Sequence, residues 1–479
     1  MEKEKLHPLM FVGTGSDVGK SVIAAAFCRI FLQDGYRPAP FKAQNMSLNS
    51  YATPEGLEIG RAQAVQAEAA GIACHTDMNP ILLKPQSDHT SQVVLNGKPV
   101  GNQSAGSYFR NEGRDELRRE VHAAFDRLAA KYNPIVMEGA GSISELNLRD
   151  VDLVNMPMAM YANADVILVA DIDRGGVFAS IYGSIMLLSE EERKHVKGII
   201  INKFRGDIKL FENGVKMIED LCHVPVLGVV PYFTDIHIED EDSVSLSQKN
   251  CQLSIVHCQL IKVSVVLLRH MSNFTDFDVL EQDPRVHLYY ASQASDIDEA
   301  DIVILPGSKS TIDDLLHLRR NGMAEAVIRA HRRGVTVLGI CGGYQMMGQS
   351  VEDPDGMEGD ITKMPGLGLL PIHTTITAEK TTRQVTFEFN GQLCQGYEIH
   401  QGVSDTDEVI LTGDHCIGTY IHGILDNAPF IDYLLRPYAD RLASTESFDY
   451  HAYKEQQYDR LADLVRQHVD MDVVYRIIK

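Results

Sequence analysis

Short runs of consecutive apolar residues punctuate the first half of the chain at 9–12, 38–42, 134–137, 165–170, 198–201 and 226–230, with stretches of helical spacing between them. A strand that is apolar at successive positions has both faces covered, so the pattern predicts a parallel sheet flanked by helices. The alternation stops at the acidic stretch Asp235-Ile236-His237-Ile238-Glu239-Asp240-Glu241-Asp242 and the polar residues 243–250. It resumes at 262–267, 286–290, 301–305 and 336–340, where the spacing predicts a second open sheet. Tyr458, Leu461, Leu464, Val465 and Val469 then recur at helical spacing. The expected organisation is an α/β domain over 1–235, a linker over 236–260, a second α/β domain over 261–450 and a C-terminal helix over 451–479.

Composition narrows the function classes. The 479 residues include 44 Lys and Arg against 66 Asp and Glu, a net charge of -22, which argues against a nucleic-acid partner. An anionic substrate must instead meet a local cluster of positive groups. The eight cysteines are scattered without a CxxC pair, as expected of a reducing cytoplasm rather than a disulfide framework or zinc site. No stretch approaches the roughly 20 apolar residues of a membrane span, and the first residues lack a signal-peptide core. A cytoplasmic protein without a membrane span is expected.

The first strand runs into Gly13-Thr14-Gly15-Ser16-Asp17-Val18-Gly19-Lys20-Ser21, and a helix follows. Glycines let backbone N–H groups face phosphates, Lys20 neutralises terminal phosphate charge, and the Ser21 hydroxyl is a magnesium ligand. A turn that merely joins strand to helix is the plainer alternative, but strand, Gly-Lys-Ser and helix coincide here. Five residues rather than four separate Gly13 from Gly19, and this longer loop resembles that of dethiobiotin synthetase, which activates a carboxylate with ATP. Glu138 ends another apolar strand, where open sheets bind ligands, and is a second candidate for magnesium. Asp171-Ile172-Asp173 ends a third; these acids either orient metal or substrate, Asp173 being the substrate candidate, or cap the following helix.

A different chemistry is written downstream. Gly339-Ile340-Cys341-Gly342-Gly343 follows an apolar strand and has the form of a nucleophile elbow, in which a helix N-terminus lowers the thiol pKa and adjacent amides stabilise an oxyanion. His422, in Gly418-Thr419-Tyr420-Ile421-His422-Gly423, is the candidate base. Attack of Cys341 on a glutamine side-chain amide would release ammonia and leave a thioester for hydrolysis. Leu305-Pro306-Gly307-Ser308-Lys309 is a candidate source of an oxyanion-hole amide, and His400 either contacts ligand or braces the fold. Cys28, Cys222 and Cys416 read as ordinary buried cysteines. A phosphate cradle joined to an amide-attacking thiol is the equipment of a glutamine-fed, ATP-driven amide synthetase.

With Phe41-Lys42-Ala43-Gln44-Asn45-Met46-Ser47-Leu48-Asn49-Ser50, Glu58-Ile59-Gly60-Arg61-Ala62-Gln63, Asn79-Pro80-Ile81-Leu82-Leu83-Lys84-Pro85 and Ser272-Asn273-Phe274-Thr275-Asp276-Phe277 added to the thiol-site motifs, the chain resembles the cobyric acid synthase family. The resemblance implies a dethiobiotin synthetase-like P-loop domain followed by a class I glutamine amidotransferase-like domain. It also implies ATP- and magnesium-dependent amidation of the b, d, e and g carboxylates of adenosylcobyrinic acid a,c-diamide. By it, Cys341 and His422 form the glutaminase pair, Ser21 and Glu138 hold magnesium, and Asn202 reads adenine. Ile424 stands where related amidotransferases carry a Glu two residues after the histidine, so the expectation is a dyad. Lys42, Arg61 and Lys84 are the expected cationic patch for the corrin carboxylates. The rival readings are a cobyrinic acid a,c-diamide synthase, a non-catalytic P-loop ATPase switch, and a synthetase with a degenerate second domain. The Lys42 to Ser50 segment counts against the first, and Cys341 with His422 against the others.

Overall fold

The computed structural model describes residues 3–87, 90–104, 114–239, 260–442, 444 and 446–479, so most of the expected linker, 240–259, lies outside the described residues. Packing divides the chain into two compact units. One comprises Met1–Ser47, Ile59–Glu239 and Ala452–Lys479; the other comprises Leu48–Glu58 and Asp240–His451.

The first unit is built on six parallel strands in the order Val226–Pro231, Val196–Phe204, Asp165–Asp171, Leu9–Gly13, Ile135–Glu138, Ala39–Phe41. Every residue of Leu9–Gly13, Asp165–Asp171 and Ile135–Glu138 is buried, as continuous apolar runs require when helices cover both faces. The helix Lys20–Gln33 is rich in Ala and places Ile23, Phe27, Ile30 and Phe31 in the core. It begins at Gly19, whose φ of 95° is one that L side chains rarely adopt. A smaller sheet of Gln44–Met46, Ile81–Ser87, Thr90–Leu95 and Lys98–Ser104 escapes the sequence reading because its strands mix polar and apolar positions.

The tail forms the helices Tyr450–His468 and Met471–Ile478, and it packs on the first unit rather than on the domain that precedes it. Tyr458, Leu461, Val465, Val474 and Ile478 join the core around Phe27 and Phe31. Ion pairs flank that seam: Arg29 Nε lies 2.7 Å from Asp459, and Arg466 Nη2 lies 2.7 Å from Asp34. The tail closes against the sheet edge at Gly228, where an added Cβ would lie 2.1 Å from the His468 carbonyl oxygen. Gly228→Ala should therefore push the tail from the sheet and destabilise the protein by about 2–4 kcal/mol. A denaturant midpoint equal to that of the unaltered protein would refute this.

The second unit has a six-stranded sheet in the order Val286–Ala291, Ile261–Val266, Ile302–Leu305, Thr336–Ile340, Cys416–Thr419, Ile410–Gly413, parallel except for its last member. A second sheet orders Lys363–Pro365, Ser350–Glu352, His373–Phe389, Gln392–Ser404 and Ile421–His422. The excursion Leu48–Glu58, expected in the first domain, belongs here. Ser50 O accepts from Asn273 Nδ2 at 2.9 Å, Ala52 O accepts from Gln384 Nε2 at 3.1 Å, Tyr51 packs on Tyr397, and Lys380 pairs with buried Glu58. These partners lie more than two hundred residues along the chain, where local spacing carries no information about them. No helix among the described residues is long and apolar enough to cross a membrane.

Candidate active sites

In the first unit, the strand Leu9–Gly13 delivers the glycine loop, and its neighbour Ile135–Glu138 ends on Glu138. Lys20 Nζ donates to Gly15 O at 2.9 Å and to Gly141 O at 3.0 Å, so the ammonium lies across the loop mouth. Glu138 is 1% exposed and collects three donors. Ser21 Oγ lies 2.8 Å and Lys42 Nζ 2.9 Å from its Oε1, and Gln66 Nε2 lies 2.6 Å from its Oε2. A hydroxyl beside an acidic carboxylate is an all-oxygen donor set, which fits a hard divalent cation such as magnesium. Asn202 Nδ2 donates to Val18 O at 2.9 Å, and a Cβ on Gly19 would lie 2.2 Å from it, so this side chain braces the loop. Asp173, exposed, accepts from Arg205 Nε at 2.7 Å.

The expected cationic patch is not gathered into an open surface. Lys42, Arg61 and Lys84 are 4%, 5% and 3% exposed. Lys42 turns to Glu138, and Arg61 makes a two-point pair with Glu239 at 2.6 and 2.8 Å. The reason is the penalty on buried charge: an ammonium or guanidinium held away from water takes up a carboxylate partner. Lys42 thereby joins the Ser21–Glu138 cluster, a position the sequence reading did not give it.

In the second unit, Cys341 stands between the strand Thr336–Ile340 and the helix Gly342–Met347 at φ 53°, ψ -111°. Such a strained turn holds a nucleophile out from its backbone. The glycines around it are required sterically. A Cβ on Gly343 would lie 1.9 Å from Leu305 O, and one on Gly342 would lie 2.8 Å from Ser308 N. The segment Gly307–Ser308 thus meets the start of the elbow helix, and a Cβ on Gly307 would also lie 3.2 Å from His422 Cε1. Gln345, one turn along that helix, accepts from Thr311 Oγ1 at 3.0 Å.

His422, 1% exposed, has its Nδ1 2.7 Å from Asp276 Oδ2, while Asp276 Oδ1 accepts from Gly423 N at 3.0 Å. Burial pulls the imidazole pKa down, but the Asp276 carboxylate and the Cys341 sulfur, each by charge and hydrogen bond, outweigh it and raise the pKa to about 10. The histidine is thus held as the cation beside the Cys341 sulfur. Elsewhere burial raises thiols: Cys222 and Cys394 by burial alone, Cys28 strongly with the Glu138 carboxylate adding to it, and Cys416 to about 11 with Asp414 adding to it, which keeps all four protonated and unreactive. His400 stacks on Tyr420 at 3.9 Å, with Nε2 3.7 Å from Glu398.

Asp276 is the residue the sequence reading missed. Its motif Ser272-Asn273-Phe274-Thr275-Asp276-Phe277 is visible, but the acid was sought two positions after the histidine, where Ile424 is buried. The structure supplies the carboxylate from 146 residues upstream. Asn273 opens the turn that carries it, anchored by Nδ2 donating to Tyr397 OH at 2.9 Å.

Comparison with known proteins follows the same division. Residues 9–245 match the CobQ/CobB/MinD/ParA nucleotide binding domain, and residues 262–430 match the CobB/CobQ-like glutamine amidotransferase domain. The chain is 67% identical to cobyric acid synthase of Bacteroides fragilis over 99% of each, and 66% identical to that of Phocaeicola vulgatus over 99% of each. It is 58% identical to that of Parabacteroides distasonis over the full length of both. With a nucleotide-binding sheet and a glutamine amidotransferase sheet on one chain, and relatives this similar from end to end, the protein belongs to the cobyric acid synthase family of amidotransferase ligases in cobalamin biosynthesis.

Proposed function

We propose that this enzyme converts the b, d, e and g carboxylates of adenosylcobyrinic acid a,c-diamide to amides, using one ATP and one glutamine at each. The observation that carries the reading is the presence, on one chain, of a Cys–His pair held on an elbow and a Lys–Ser–Glu phosphate site.

At the thiol site, Cys341 attacks the glutamine amide carbon while the amides of Gly342 and the Gly307–Ser308 segment face the developing oxyanion. His422 protonates the departing nitrogen, ammonia leaves, and water then hydrolyses the thioester to glutamate. At the phosphate site, a corrin carboxylate oxygen attacks the γ-phosphorus of ATP and ADP leaves, giving an acyl phosphate. Ammonia then adds at the acyl carbon, with loss of a proton, and phosphate departs. Magnesium, when bound by Ser21 and Glu138, neutralises phosphate charge. Lys20 does the same from the loop, and Lys42, fixed on Glu138, adds a positive charge beside that carboxylate. Asn202 is assigned to adenine by likeness to dethiobiotin synthetase.

For the corrin itself, a cavity of about 220 Å³ beside Gly141 is lined by Gln44, Arg114, Leu146, Leu148, Arg149 and Asn155, among others. Its apolar side chains suit a macrocycle edge, while Arg149 is paired with Glu192, and Glu145 and Asp152 also line the cavity. A cytoplasmic location fits both the reduced thiol and the absence of an apolar spanning helix among the described residues.

Mass spectrometry of the diamide corrin after incubation with enzyme, ATP, magnesium and glutamine tests the reading. Four successive acid-to-amide exchanges are expected. Exchange on unamidated cobyrinic acid but not on the diamide would assign the sister activity instead. In the same assay Lys20→Ala should lose about a hundredfold or more in rate with either glutamine or ammonia, because one charge-stabilising donor at such a site is worth about 2.7–4 kcal/mol. Near-normal amidation by Lys20→Ala would move the ATP site away from the glycine loop.

A further inference from the structure

The helix Arg61–Ala69 is buried along nearly its whole length, and it carries two glutamines, Gln63 and Gln66, at 0% and 1% exposure. A buried amide is unfavourable unless each of its polar atoms is paired. Gln66 satisfies only half of that requirement. Its Nε2 donates to Glu138 Oε2 at 2.6 Å and to Ser21 O at 3.3 Å. Both partners are acceptors, a carboxylate and a backbone carbonyl, so the nitrogen must be the atom that faces them and the amide cannot be turned over. The orientation of Oε1 follows: it is bonded to the same carbon, buried, and without a hydrogen-bond partner among the described residues.

A polar oxygen is thus held beside the Ser21 and Glu138 side chains, the two oxygens read above as holding magnesium. We propose that Gln66 Oε1 is a third protein oxygen for that divalent cation. A neutral carbonyl is a suitable donor for a hard cation, and it adds an oxygen without a further negative charge beside the carboxylates and phosphates of the substrates. The other half of the amide holds the Glu138 carboxylate in place, so one side chain both ligates the cation and orients a second ligand. Such coupling of a metal ligand to its neighbours is general in metal sites. The inference rests on the reading of Ser21 and Glu138 as the cation site.

The test is a titration of the full-length protein with Mn²⁺, a substitute that prefers the same oxygen ligands, in the presence of a non-hydrolysable ATP analogue, with bound ion read by electron paramagnetic resonance. Glu138→Ala serves as the reference for the site itself. Gln66→Met, which removes both polar atoms at similar volume, should weaken Mn²⁺ binding by roughly 10–100-fold. Gln66→Glu keeps an oxygen in place but loses the donor to Glu138 and sets two carboxylates against each other. If Oε1 is a ligand, Gln66→Glu should bind Mn²⁺ at least as tightly as the unaltered protein. If Gln66 serves only to hold Glu138, or if a water satisfies its oxygen, Gln66→Glu should weaken binding as Gln66→Met does, and the proposal is overturned. Unchanged affinity in Gln66→Met also overturns it while sparing Ser21 and Glu138, whereas unchanged affinity in Glu138→Ala would fail both readings. Should Gln66→Met not fold, the direction of the Gln66→Glu effect alone decides.

Discussion

Cys341→Ala is expected to lower glutamine-dependent amidation by on the order of 10⁴-fold or more while amidation driven by added ammonia continues at an unaltered rate. The size follows from the proposed chemistry, in which the sulfur would form the thioester and neither the oxyanion amides nor His422 would offer another nucleophile. The selectivity follows from the proposed division of labour, in which ATP activation would use Lys20, Ser21, Lys42 and Glu138, all in the other unit. Alanine keeps the Cβ and imposes no new contact at a position already held at φ 53°. The decisive measurement is the ratio of rates with glutamine and with ammonia. Equal loss of both in a variant that melts normally would remove Cys341 from the nitrogen-releasing step.

The second large effect is expected at a residue outside the Cys–His pair. Asp276→Asn should lower glutamine-dependent turnover by about 10²–10⁴-fold, again with ammonia-driven amidation spared. In the unaltered protein, burial disfavours the imidazolium of His422, but the Asp276 carboxylate at 2.7 Å and the Cys341 sulfur overcome that penalty and raise the pKa to about 10. An amide carries no charge to oppose burial, and its NH₂ group can face Nδ1 and favour the wrong tautomer. The alkaline limb of glutaminase activity, expected near pH 10 with Asp276, should therefore move to lower pH in Asp276→Asn. Stability should follow the same linkage. A folded-state pKa raised above the ordinary 6.5 contributes stability that is fully present below that pH and is lost as pH rises through about 10. The variant should thus be less stable than the parent in weak acid, and the gap should narrow above pH 10. A pH–rate profile that keeps its alkaline limb would show that Asp276 braces the fold without tuning His422.

Both expectations separate what is legible along the chain from what is not. All six strands of the first main sheet, four of the six in the second, the glycine loop and the thiol elbow were readable, because each depends on local geometry. Continuous apolar runs require covered strands, and Gly342 and Gly343 leave room for backbone that approaches within van der Waals contact. His422 was readable beside its own glycine. The partners of these residues were not. Asp276 reaches His422 across 146 residues, and the absence of an acid at Ile424 said nothing about an acid arriving from another turn. Lys42 and Arg61 both looked like clamps for the substrate; Lys42 is buried on Glu138 and Arg61 is committed to Glu239. Leu48–Glu58 lies in sequence within the first unit and packs in the second. Periodicity and glycine placement act over a few residues, so the sequence by itself determined the elements and the reactive atoms at their ends. Which charge neutralises which depends on the order in which strands lie side by side and on the penalty for burying an unpaired ion, and both exist only once the sheets have formed.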